Sequence, residues 1–125
     1  GIGDKTHFIG SIPEGDLPAL LRASTLYVSA SEVDGTSVTL LQAMACKTPV
    51  LVSDTPGNCS WIHEGVTGYV FSTGDPNELA QALIRTLAEK NREQLVSRAY
   101  TLVRQQADWS ANVERLRNAL TRVAP

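Results

Sequence analysis

The chain has 125 residues, 42% of them apolar and 19% charged, which makes it one domain by size with enough apolar matter for a genuine core. No apolar run approaches the roughly 20 residues of a membrane-spanning helix, and Gly1-Ile2-Gly3-Asp4-Lys5 has neither the basic start nor the apolar core of a signal peptide, so the chain reads as beginning inside a fold. The net charge of −2 conceals an asymmetry: residues 1–75 carry three Lys/Arg against eight Asp/Glu, and residues 76–125 carry eight against five. A solvated helical surface accounts for the basic half, which lacks the dense, aromatic-interleaved stripe of a nucleic-acid binder.

Cys46 and Cys59 stand apart from any Cys/His cluster and read as two small apolar residues in a reducing compartment. His7 and His63 are isolated, so no metal site is expected.

In chain order, short β-branched or apolar runs alternate with helical periods, the pattern of βαβ units and a parallel sheet. Thr6–Ile9 reads as a first strand. A helix follows with Leu17, Leu20 and Leu21 on one face, Asp16 near its cap and Pro18 in its first turn. Leu26–Ser29 is the second strand, and a helix from about Ser37 to Ala45 is expected to bury Val38, Leu41, Met44 and Ala45. Val50–Ser53 and Tyr69–Phe71 complete the strands, with Trp61, Tyr69 and Phe71 as core aromatics and Glu64 on the surface. Asp75-Pro76-Asn77-Glu78 is a strong helix start, with a capping Asp, Pro at the first position and Glu three residues on. Leu79, Ala82, Leu83 and Leu87 then repeat at helical spacing. Asn91 ends that helix or caps the next, whose face is Leu95, Ala99 and Leu102. A last helix after Asp108 aligns Trp109, Val113, Leu116, Leu120 and Val123, with Trp109 expected to pack it onto the sheet.

The chemistry concentrates in Ser31–Gly68. A strand ends at Ser29, and a polar loop containing Gly35 runs straight into the helix start near Ser37. Ligands of open α/β sheets sit beyond the carboxyl ends of the strands, where free N–H groups and the dipole of a helix start favour an anion. Gly35 permits close approach, and Thr36, Ser37 and Thr39 add hydroxyls. Spacing alone supports a phosphate-binding loop and an ordinary strand–loop–helix turn about equally.

Asp34-Gly35-Thr36-Ser37, Leu41-Gln42-Ala43-Met44-Ala45-Cys46 and Pro49-Val50-Leu51-Val52-Ser53 stand in a register that resembles the Glu-x7-Glu signature of family 4 retaining glycosyltransferases, which have the GT-B fold of two Rossmann-like halves. Phe8-Ile9-Gly10 with Leu17–Ala23, Gly57-Asn58 to Trp61-Ile62, Gly65, Thr67-Gly68-Tyr69-Val70 and Asp108-Trp109-Ser110 extend the resemblance over nearly the whole chain. It implies a Rossmann-like parallel sheet flanked by helices over residues 1–125, the C-terminal half of such an enzyme without its first two strands, with residues 108–125 as the terminal helix.

The same resemblance implies the site. Asp34 takes the place of the Glu that contacts the donor sugar, and Gln42 that of the Glu that bonds the ribose hydroxyls. Gly35, Thr36 and Ser37 face the sugar and diphosphate, with Leu41 beside them, and Ser11 and Ile12 hold the base through their backbone. Asp34 and Gln42 should share one cleft. Asp34 keeps its charge at shorter reach, while Gln42 keeps an acceptor and gains donors suited to a diol. Lys47 replaces the helix-ending Gly, at about 1 kcal/mol if it turns left-handed. The Arg and Lys that grip the diphosphate belong to the lacking strands, and no cation is expected near the site.

The expected function is donor binding in a transferase that moves sugar from a nucleoside diphosphate to an acceptor with retention, with no metal or cofactor and no activity in the fragment alone. The alternatives are a non-catalytic nucleotide- or partner-binding module and a sugar-nucleotide epimerase, against which the Leu-x-Ala-Met-Ala run and Pro-Val argue. Expected partners are the nucleotide sugar and the enzyme's own N-terminal acceptor domain, with no nucleic acid and no membrane span. In the Rossmann strand order a gap opens beside Leu26–Ser29. Thr6–Ile9 should close it, or another chain should, giving a strand-swapped or edge-paired oligomer. The expected location is cytoplasmic, at most peripheral to the membrane.

Overall fold

A computed structural model describes residues 1–123. Helix α1 (Leu17–Ala23) leads to β1 (Tyr27–Ser29), α2 (Val38–Ala45), β2 (Val50–Ser53), a single turn α3 (Pro56–Cys59) and β3 (Tyr69–Phe71). Three helices follow: α4 (Pro76–Leu87), α5 (Arg92–Gln106) and α6 (Trp109–Val123). The strands form one parallel sheet in the order β1-β2-β3, with Val28 opposite Leu51 and Val52 opposite Val70.

The alternation of β2 divides the core in two. Val50 and Val52 point to a layer built by Leu40, Ala43 and Met44 of α2 with Ala99 and Val103 of α5. Leu51 points the other way, joining Tyr69, Phe71, Ala82 and Leu95. Burying a side chain of this size stabilises by about 1.5–3 kcal/mol, so this doubly covered strand is the energetic centre of the fold. Asp75 caps α4 as its sequence requires, its carboxylate accepting from the N–H groups of Asn77 (2.9 Å) and Glu78 (3.0 Å). Glu78 accepts from the Ser72 N–H at 3.1 Å, so it fastens the preceding loop and not the cap residue itself.

Five expectations are corrected. Thr6–Ile9 is not a strand: a 3-10 turn at Gly3–Lys5 precedes an irregular segment in which Phe8 is 97% exposed. A strand exists only through a ladder, and this segment does not move in beside β1, which remains an edge. In α2 the buried face is Leu40, Ala43 and Met44, while Val38 and Ala45 are exposed and Leu41 is half-buried. The covered stripe faces the sheet, and the other apolar residues turn towards the junction of α5 and α6. On α5 the stripe ends on Val103 in place of Leu102, and on α4 Thr86 is buried while Leu87 is exposed. Trp109 does not pack on the sheet; it is 80% exposed, and no residue of α6 is buried.

Lys47 ends α2 in the left-handed conformation (φ 59°). Its ammonium lies 4.9 Å from the centroid of the Tyr100 ring, a cation–π contact that partly offsets the missing glycine. Cys46 and Cys59 are free thiols. Glu64 is more than surface decoration: it accepts from the Val70 N–H (2.8 Å) and from Arg85 (3.1 Å), tying the loop before β3 to β3 and α4.

Candidate donor-binding site

Beyond the carboxyl end of β1, residues 30–37 form an irregular loop that delivers the chain into α2. Ser37 caps the helix from an extended conformation and accepts from the Leu40 N–H at 3.4 Å. The N–H groups of Val38 and Thr39 are thus first-turn donors without an intrahelical partner, at the positive end of the helix dipole. Asp34 is half-buried in the loop, whereas Gly35 and Thr36 are exposed. These residues form one continuous loop-to-helix surface.

Leu41 and Gln42, both half-buried, line a groove of about 360 Å³ between α2 and the α5–α6 junction, with Val38, Arg104, Asp108 and Trp109 on its walls. Asp34 is not among its lining residues, so Asp34 and Gln42 do not both line this groove. On the other side, Ala30 and Glu32 of the same loop line a hollow of about 190 Å³ against Phe71, Pro76 and Leu79. Ser11 is exposed and Ile12 half-buried in the irregular segment before α1, and neither lines these two hollows.

The loop is held from behind. Ser53, at the end of β2, donates through its hydroxyl to the Ser31 carbonyl at 2.6 Å. The hydroxyls of Ser29 and Ser31 lie 3.2 Å apart. Gly57 of α3 is so close that a Cβ there would overlap the Gly35 carbonyl. At the neighbouring strand ends, the Thr73 hydroxyl (2.6 Å) and N–H (2.8 Å) donate to Asp54, and this bonding lowers the Asp54 pKa from its ordinary value. Glu32 and Asp75 line the hollow beside the loop, but the surroundings also hold a cation that sequence reasoning missed. Arg104, 62 positions after Gln42, brings a cation to the Gln42 groove. Only the tertiary contact of α5 with α2 places it there, and no local signal marks it. Ser53 and Gly57 were likewise invisible in their supporting role, because their partners lie 22 residues away.

Among the described residues, no three His, Cys, Asp or Glu side chains gather as a metal site, and no helix is long and apolar enough to cross a membrane.

Comparison with known proteins bears on this geometry. Residues 1–102 match the family described as "Glycosyl transferases group 1". "Glycosyltransferase 1 domain-containing protein 1" of Xenopus tropicalis is 36% identical over 107 residues, 85% of this chain and 30% of that protein. HepE of Anabaena, solved in complex with UDP and glucose, superposes with a TM-score of 0.89 over 98% of this chain and 33% of its own, at 21% identity. The C-terminal domain of a glycosyl transferase group 1 family protein (LpcC) from Francisella tularensis superposes with a TM-score of 0.72 at 26% identity, over 82% of this chain and 53% of that one. The match spans between 20% and 33% of the length of the curated relatives. The signature loop, the helix it caps and the whole sheet lie within the matched residues, and the chain belongs to the glycosyl transferases group 1 family.

Proposed function

We propose that this chain is the C-terminal, donor-binding part of a family 4 retaining glycosyltransferase of the GT-B fold, moving a sugar from a nucleoside diphosphate to an acceptor. The observation that carries the reading is the delivery of Asp34-Gly35-Thr36-Ser37 from the carboxyl end of β1 to the open N–H groups of α2. The UDP and glucose held by HepE support a nucleotide sugar as the donor, and the match to the Francisella C-terminal domain supports the placement in the second half of the enzyme.

In this reading the diphosphate meets the first turn of α2, where N–H donors and the helix dipole stabilise the departing nucleoside diphosphate. Asp34 is the catalytic carboxylate: its charge opposes the positive charge that develops on the sugar as the glycosidic bond loosens. Gly35, Thr36 and Ser37 position sugar and diphosphate through backbone and hydroxyl groups, and Leu41 borders them. Gln42 bonds the ribose diol, and Ser11 and Ile12 hold the base through their backbone. No metal is required. The exposed apolar stripe of α6 is where the acceptor-binding remainder of the enzyme docks, so the isolated fragment transfers no sugar. The enzyme works in the cytoplasm, at most peripherally attached to a membrane.

The test uses the full-length protein with a panel of nucleoside-diphosphate sugars, UDP-glucose first. Gln42→Ala is expected to weaken donor binding by about 1–2 kcal/mol, the scale of one or two hydrogen bonds. Asp34→Asn is expected to lower turnover more than binding. Unchanged donor affinity in the first variant with normal turnover in the second would dismiss the reading.

A further inference from the structure

Residues 30–36 belong to no helix and no ladder, so their shape is set by what they rest on. Two supports reach them from the end of β2. The first is the Ser53 hydroxyl, in a residue with no exposed surface, donating to the Ser31 carbonyl at 2.6 Å. The second is steric. A Cβ on Gly57 would overlap the Gly35 carbonyl group and come within 2.7 Å of the Asp34 carbonyl oxygen, so the backbones of α3 and the loop are in direct contact. One unit carries both supports: Asn58, itself fully buried, donates from its side-chain amide to the Ser53 carbonyl at 2.8 Å, and its N–H donates to Thr55 at 3.4 Å.

We infer that Ser53 and Gly57 are positioning residues for the transfer reaction, a latch that fixes the loop backbone on either side of Asp34 and so sets where its carboxylate meets the donor. The inference rests on the donor-site reading above. Neither residue touches the donor; each acts through the loop. A displacement of about 1 Å at a reacting group costs on the order of 10²-fold in rate, and a side chain at position 57 forces a shift of at least that order unless the turn deforms instead.

A matched control separates positioning from stability. Thr48, buried just before β2, donates its hydroxyl to the Leu21 carbonyl at 2.7 Å. Thr48→Val and Ser53→Ala thus each leave one carbonyl without its hydroxyl donor, but only Ser53 faces the signature loop. The variants are compared in the full-length protein, by steady-state kinetics with the nucleoside-diphosphate sugar that the parent turns over, and by amide hydrogen exchange over residues 31–36. Gly57→Ala is expected to lose about 10²-fold in kcat and Ser53→Ala about 10-fold, each with KM within about threefold, and exchange at residues 31–36 to quicken about 10-fold in both. Thr48→Val is expected to match the parent in both readouts. If kcat and loop exchange in Ser53→Ala and Gly57→Ala stay with those of Thr48→Val, the latch is refuted. An inactive parent, or an Asp34→Asn variant with full turnover, instead refutes the donor-site reading, while the exchange comparison still decides whether the latch holds the loop.

Discussion

Helices α5 and α6 have the same length, 15 residues each, and each carries an apolar stripe at helical spacing, yet they meet opposite fates. Leu95, Ala99 and Val103 of α5 are buried against the sheet and α2, whereas Trp109, Leu116, Leu120 and Val123 of α6 are 60–81% exposed. A stripe of period 3.6 specifies a helix and the side it will bury, but not what covers it. On α5 the partner lies within this chain. On α6 the stripe faces outward, and nothing among the described residues buries it.

Equal truncations should expose the difference most strongly. Leu95→Ala is expected to cost about 2–5 kcal/mol in denaturant unfolding of this chain, the transfer and cavity cost of a buried leucine. Leu120→Ala should stay within about 0.5 kcal/mol, as for an exposed site. Similar costs for the two would erase the distinction.

Alkaline pH should act on the packed region through Tyr69. Burial, together with the bond to Glu89 at 2.7 Å, pushes the Tyr69 hydroxyl up to about 12 from its ordinary 10.0. The folded state therefore keeps a proton that the unfolded chain releases. This contribution is complete below pH 10 and is lost as pH rises towards 12. Tyr69→Phe should flatten that limb of the stability profile, and an unaltered limb would place its origin elsewhere.

Helices α4 and α6 both start on a capping aspartate, which extends the comparison to a packed and an unpacked helix start. Asp75 accepts from two N–H groups of α4, and Asp108 accepts from Ala111 N–H at 2.9 Å on α6. Asp75→Ala should lower global stability by about 1 kcal/mol. Asp108→Ala should fray α6 in helicity measurements and leave the unfolding midpoint in place. The smallest effect is a gain: Lys47→Gly relieves the left-handed backbone and should stabilise by less than about 1 kcal/mol, because the contact with Tyr100 is lost in exchange.

What the sequence disclosed divides along the same line. Local chemistry was legible: Asp75-Pro76 starts a helix by its own hydrogen bonds, and the Val50–Ser53 run made a strand because both its faces are covered. Thr6–Ile9 had the right residues for a strand and failed for want of a ladder partner, which no residue within it could reveal. The α2 stripe was misplaced because Val38, Leu41 and Ala45 also lie on one face, and only the position of the sheet decides between faces. At the site, Asp34, Ser37 and Gln42 stood out through family resemblance, since a Gly-bearing loop before a helix is not distinctive alone. The contacts that shape this loop, Ser53 to Ser31 and Gly57 to Gly35, join residues 22 apart and leave no mark on local pattern.

The central claim is that residues 31–42 form the donor surface. It is tested most directly by titrating this chain with a nucleoside-diphosphate sugar, UDP-glucose first, while following its backbone amides by NMR. The account predicts weak, millimolar-range binding with the largest shifts at Gly35, Thr36, Ser37 and the first turn of α2. Shifts centred elsewhere, or none at these amides under saturating ligand, would contradict it.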